Sequence, residues 1–386
     1  MALGLLITLG LIACKKSGDG GVLPNMSIGN SSGERSSSSA VYRFTVSLDA
    51  PATSEVTASY TTVDGTAKSG KDFTTASGTV RIASGQSQAT IEVTVSGDSL
   101  RRESQQFFVQ LSAPKGCVIQ SDRGTGTISN QNLLYYPVDP AGYSGRTNYA
   151  GYTLVWNDEF NGNEVNTNNW TFELGNNNGW GNNELESYTA STNNAFVSAG
   201  NLIIEARQER VGNFNYTSAR MITKGKKEFK WGRVDIRAKL PKGKGIWPAL
   251  WMLGSNISTV NWPACGEIDI LELLGQEPNK IYASLHWGPN TSGHRYDTKS
   301  YVATGNSFDQ QFHLYSMIWD ASGIKILVDD LEFQSLSKAA FNDVYPFDNP
   351  FFFIFNIAVG GNWPGSPDAT TVFPQRMAID YIRVYQ

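Results

Sequence analysis

The chain has 386 residues, a formal net charge of −4 and ten tryptophans. At roughly 150 residues per domain its length suggests two or three folding units, and the mild acidity gives no electrostatic reason to bind nucleic acid or an anionic membrane. Cys14, Cys117 and Cys265 lie too far apart to form a disulfide framework or a metal-ligand spacing, and His286, His294 and His313 lack the spacing of a zinc helix.

Ala2 to Ala13 form an apolar run too short to span a bilayer and suited to the hydrophobic region of a signal peptide. The run ends Leu11-Ile12-Ala13-Cys14, which resembles the bacterial lipoprotein box, although no Lys or Arg precedes Cys14. The resemblance implies a signal peptide over residues 1–14 with lipidation at Cys14, then a flexible polar tether over 15–24. The expected location is the cell envelope, as an outer-membrane lipoprotein, surface-exposed or secreted. Membrane contact would be made through the lipid alone.

Residues 25–130 read as short strands between turns. Tyr42, Phe44, Val46 and Leu48 alternate with polar residues, as do Ile91, Val93 and Val95, then Phe107, Val109 and Leu111. Asp64-Gly65, Ser69-Gly70 and Ser84-Gly85 mark the turns, so an immunoglobulin-like antiparallel β-sandwich is expected. The run from Tyr60 to Ala67, with Gly70-Lys71-Asp72-Phe73, Gly78-Thr79-Val80 and Gly126-Thr127-Ile128, resembles the Calx-β domain. Some such domains bind calcium through clustered acids. Asp64, Asp72, Asp98 and Glu103 stand here, but Arg101-Arg102 sit among them, which favours a structural spacer or adhesion module over a calcium sensor.

Residues 131–148, with Pro137, Pro140 and Gly142 and no periodicity, read as a linker. From 149 to 386 no amphipathic helix stands out. Val234, Ile236, Ala238 and Leu240 alternate with Asp235, Arg237 and Lys239, the pattern of a half-buried strand, and 351–357 form an apolar run suited to an inner strand of two packed sheets. The expected fold is all-β throughout.

Within this unit, Gly266-Glu267-Ile268-Asp269-Ile270-Leu271-Glu272 places three carboxylates in an apolar stretch. Burying charge among Ile and Leu is costly unless chemistry or pairing requires it. In a strand Glu267 and Asp269 share a face, and a β-bulge near Ile270-Leu271 brings Glu272 into phase with them. Two carboxyls flanking a sugar bond are the minimum for glycoside hydrolysis; solvated acids on a polar strand face are the alternative.

Trp262-Pro263-Ala264-Cys265 and the heptapeptide after it resemble the signature of glycoside hydrolase family 16 in its bulged form. The resemblance extends to Trp156-Asn157-Asp158-Glu159-Phe160, Asn182-Asn183-Glu184-Leu185, Gly245-Ile246-Trp247-Pro248-Ala249-Leu250-Trp251, His286-Trp287-Gly288, the stretch 356–365 and the ending 380–385. It implies a β-jelly-roll, a concanavalin-like sandwich with its substrate cleft on the concave face. Glu267 would be the nucleophile, Glu272 the general acid and then base, and Asp269 the residue that biases the nucleophile's protonation. Trp247, Trp251 and Trp262 would line the cleft, His286 would sit beside the acid/base, and Asn182, Glu184, Trp180 and Arg220 would contact sugar. Catalysis would need no cofactor; one structural calcium would be held by Glu159, the carbonyl of Gly200 and Asp380, with a surface hydrogen-bond cluster as the alternative. The details look most like a laminarinase cutting β-1,3-glucan internally, with mixed-linkage β-1,3-1,4-glucan as a further substrate and a monomeric state. A galactan hydrolase of agarase or carrageenase type and a non-catalytic glucan-binding protein are the competing readings.

Overall fold

The computed structural model describes residues 23–98, 104–130, 135–341 and 344–386. The predicted signal peptide with Cys14, the tether up to residue 22, Arg101-Arg102 and Glu103 lie outside the described residues. The chain forms two compact units, one ending at Ser129 and the other running from Asn130 to Gln386.

The first unit is a β-sandwich of a four-stranded and a five-stranded sheet. The alternation read in the sequence sets its core: Phe44, Phe73 and Phe107 are fully buried, the last two stacked with ring centroids 4.5 Å apart. At one end the acids gather around an arginine. The buried Arg35 guanidinium donates to Asp72 Oδ1 at 3.1 Å and Asp98 Oδ2 at 3.3 Å. Asp72 Oδ2 also accepts the amide of Lys68 and the side chain of Gln105, while Asp64 accepts the amide of Ser69.

The second unit packs two eight-stranded antiparallel sheets face to face, the jelly-roll expected from the sequence. The sheet that carries the site contains β1 (Thr171–Glu173), β2 (Arg220–Ile222), β3 (Ile246–Gly254), β4 (Glu267–Leu273), β5 (Lys280–Trp287), β6 (Arg295–Val302) and β7 (Phe351–Val359), in the spatial order β1-β2-β7-β3-β4-β5-β6. β7 lies inside this sheet, and all nine of its residues, apolar except Asn356, are buried.

Two expectations need correction. The strand Gly232–Lys239 is buried on both faces, with Asp235 only 1% and Arg237 only 4% exposed. The cover comes from residues 135–149, most of which had read as linker. Tyr136 exchanges hydrogen bonds with Ser198, Ala141 and Tyr143 bond the backbone of Phe312, and Tyr143 donates to Asp330. Arg237 donates to the carbonyls of Tyr143 and Pro140 at 2.7 and 2.6 Å, and Tyr149 donates to Asp235 at 2.7 Å. The prolines prevent regular structure here, but the buried guanidinium needs acceptors and takes them from this strap.

Candidate active site

The bulge is where the acids require it. Against β3, Ala249 faces Glu272 and Trp251 faces Asp269; against β5, Glu267 faces His286 and Asp269 faces Ser284, with the register shifting between Asp269 and Glu272. Two residues of β4 there oppose one on each neighbour, so Ile270 and Leu271 both go into the core, fully buried. Glu267, Asp269 and Glu272 consequently line the same cleft, of about 660 Å³.

Each outer glutamate is held by an indole. Trp262 Nε1 donates to Glu267 Oε2 at 3.1 Å, and Trp247 Nε1 donates to Glu272 Oε1 at 3.1 Å. The second oxygen of Glu272 accepts from Ser284 at 3.5 Å. Burial, then the charge of Asp269, pushes Glu267 and Glu272 each up to about 8, with His286 and the indole donors pulling the other way. Burial raises Asp269 well above the usual carboxylate range. Burial and mutual repulsion both disfavour ionising all three acids together.

The predicted sugar-contacting residues all line this cleft: Trp180, Asn182, Glu184, Arg220, Trp247, Trp251, Trp262 and His286. Trp251 donates to Asn356 at 2.8 Å, and the Arg220 guanidinium lies over Trp180 and Trp251, 4.5 and 4.8 Å from their centroids. His286 stands among the three acids, and its charge acts on both Glu267 and Glu272. The antiparallel register sets it opposite Glu267, with Nε2 3.8 Å from that carboxylate and 3.2 Å from Asp269, while Tyr282 faces Glu272 and Ser284, opposite Asp269, donates to Glu272. His286 Nδ1 is 2.9 Å from His294 Nε2, and the His294 ring packs on Trp262 with centroids 4.6 Å apart. His294, Tyr296, Tyr282, Ser284, Asn356 and Trp363 also line the cleft and had not been singled out. For Tyr282 and Ser284 a signal existed, since they precede His286 by four and two residues on the same strand face.

The residues proposed for calcium do not suit a divalent cation as they stand. Both oxygens of Glu159 accept from Arg383 at 2.8 Å, and Asp380 is paired to Arg237 at 2.8 Å. These carboxylates are already neutralised by guanidinium groups. In the first unit Arg35 occupies the corresponding role among Asp72 and Asp98.

Comparison with known proteins agrees with the geometry. The Calx-beta domain model matches residues 25–129, and the model for glycosyl hydrolases family 16 matches residues 181–383. Glucan endo-1,3-beta-glucosidase A1 of Niallia circulans is 39% identical over 65% of this chain, and the match spans only 39% of that protein. A beta-glucanase of Rhodothermus marinus is also 39% identical, over 61% of this chain and 85% of that one. The solved laminarinase catalytic domain of Thermotoga maritima superposes with a TM-score of 0.58 at 49% identity, covering 61% of this chain and 98% of that chain. With its catalytic strand, cleft and family match in agreement, this chain belongs to glycosyl hydrolase family 16.

Proposed function

We propose that the second unit is a retaining endo-hydrolase of laminarin-type β-1,3-glucan that also accepts mixed-linkage β-1,3-1,4-glucan. The observation that carries this reading is the bulged strand, which aims Glu267, Asp269 and Glu272 into one aromatic-lined cleft with an indole N–H on each outer glutamate. Similarity to glucanases of the names given above supports the substrate class. Glu267 attacks the anomeric carbon and forms a glycosyl-enzyme, while Glu272 donates its proton to the departing glycosidic oxygen. Glu272 then takes a proton from water, and the resulting attack releases the sugar with its configuration retained. Asp269, by keeping its proton, removes the like charge that would hold Glu267 neutral. Trp262 stabilises the ionised nucleophile, and Trp247 orients the acid.

Burial of the acids strengthens every charge interaction in the cleft. Trp180, Trp251 and Trp363 offer ring faces for sugar stacking, and Arg220 is the single Lys or Arg among the described residues lining the cleft, which suits a neutral glucan better than a sulfated galactan. The first unit acts as a spacer, and the protein works as a monomer exported to the envelope and anchored by lipid at Cys14. Loss of palmitate incorporation in Cys14→Ala would test the anchor.

The deciding experiment is the product profile of the full chain on laminarin, barley mixed-linkage glucan and agarose, with the product anomer read by proton NMR. A ladder of short laminarin products with retained configuration is expected. Inverted products would overturn the mechanism, agarose products alone would move the substrate to galactans, and no products would favour a binding protein.

A further inference from the structure

Beyond the three catalytic acids, the cleft rests on a second pair of carboxyls, Glu184 and Glu186. Glu184 reaches the cleft lining, whereas Glu186 is 0% exposed. Glu186 Oε2 accepts the amide of Val359 at 2.6 Å, which ties it to the end of β7. Its other oxygen, Oε1, is sealed from water and receives no N–H or O–H from any described residue. The Glu184 carboxyl, two residues away, lies within hydrogen-bonding reach of the Glu186 carboxyl. Glu184 in turn accepts the Tyr188 hydroxyl at 3.2 Å and the Asn182 amide at 3.4 Å. The Asn176 side-chain amide clamps the backbone, donating to the carbonyls of Glu184 and Glu186 at 2.9 and 2.8 Å.

The charges around the pair are unequal. Arg220 acts on Glu184, whereas the charge facing Glu186 is that of Glu184 itself; the Tyr188 hydroxyl is un-ionised, its acidity suppressed by burial and by both glutamates. Burial first, then Glu184, drives Glu186 far above the usual carboxylate range. An ionised Glu186 would leave a bare, buried oxygen beside a like charge. A protonated Glu186 supplies the donor that two neighbouring carboxylates lack.

We infer that Glu186 carries a proton and donates it in a hydrogen bond to Glu184, so that the pair presents a single fixed negative charge to the cleft. Glu186 is then a positioning residue. It holds the Glu184 carboxylate at the cleft lining, where that carboxylate accepts a hydrogen bond from a sugar hydroxyl. The protonation state is independent of the glucan-hydrolase reading; the effect on sugar binding rests on it.

Infrared difference spectroscopy of the full chain at pH 7, wild type minus Glu186→Gln, tests the proton directly. Loss of a protonated-carboxyl band in the variant is expected, and loss of a carboxylate band instead overturns the inference. Kinetics on laminarin test the positioning. Glu186→Ala should raise KM about tenfold, equivalent to about 1.4 kcal/mol of binding, with kcat changed less than about twofold. Glu186→Gln, whose amide supplies the donor, should bring KM back toward wild type. A Glu186→Ala variant with wild-type KM, or no rescue by Gln, refutes the positioning role. If no form of the protein cleaves laminarin, the glucan reading fails while the infrared result still decides the proton.

Discussion

Trp262 makes the sharpest test of the catalytic assignment. Its indole N–H donates to Glu267 Oε2 at 3.1 Å, and its ring packs on His294 with centroids 4.6 Å apart. Phenylalanine at this position keeps an aromatic ring but removes the donor. A hydrogen bond to an ionised group contributes about 1.5–3 kcal/mol, and one pKa unit corresponds to about 1.36 kcal/mol, so Trp262→Phe should raise the Glu267 pKa by about 1–2 units. The nucleophile must be ionised to act, and losing a donor to its charged form makes ionisation harder. The acidic limb of the pH profile of kcat/KM therefore moves to higher pH by that amount. On that limb kcat/KM should fall about 10–100-fold, with a smaller loss at the top of the profile. The assay is laminarin hydrolysis across the pH range for both proteins, read by reducing ends. A uniform loss with an unmoved acidic limb would show that Trp262 acts by packing alone and would refute the electrostatic role.

Replacing the acid itself separates chemistry from stability. Glu272→Gln should cut kcat by about 10²–10⁴-fold, yet raise the Tm at pH 8 and leave it unchanged at pH 4. The sign follows from a folded-state pKa near 8, above the ordinary carboxylate value: the group's contribution is complete below its unfolded pKa and is lost as pH rises through 8. Equal Tm values for variant and wild type at pH 8 would contradict the burial cost. In the first unit, Arg35→Ala removes the guanidinium that ion-pairs with the buried Asp72 and should destabilise the sandwich by about 3–5 kcal/mol in urea unfolding. Calorimetric titration of the protein with calcium should show no sub-micromolar site there, because the guanidinium already neutralises the acids. For the same reason, excess EDTA should leave the Tm of the second unit unchanged; a drop would mean that Glu159 and Asp380 exchange their arginines for a cation.

The catalytic strand was legible because its signal is local. Three acids inside an apolar run fit one face only if a residue is inserted between the second and third, so sequence alone located the bulge. The alternating residues of the first sandwich were legible for the same reason, since a period of two fixes which face is buried. What sits behind a strand was not. Asp235 and Arg237 carry the pattern of a wet face, and only the strap over them makes it dry. That strap binds largely through backbone carbonyls, which every residue has, so composition carries no mark of it. The partner of His286 was equally hidden, because register between neighbouring strands depends on pairing across the sheet. Glu186 left no trace either. Its meaning comes from the amide of Val359, 173 residues away.

The bulge also bears on how such a site could change over evolutionary time. Deleting either Ile270 or Leu271 would leave Glu-Ile-Asp-X-Glu, in which plain alternation already places all three carboxyls on one face. A single-codon deletion thus leads to a regular strand with its acids still aligned, whereas an insertion or deletion elsewhere in the strand throws one of them out of phase. The cost falls on the interior, since either residue fills core space and its loss opens a void worth about 2–5 kcal/mol. Bulged and unbulged forms of this strand are therefore adjacent in sequence space, separated by a packing barrier rather than a catalytic one.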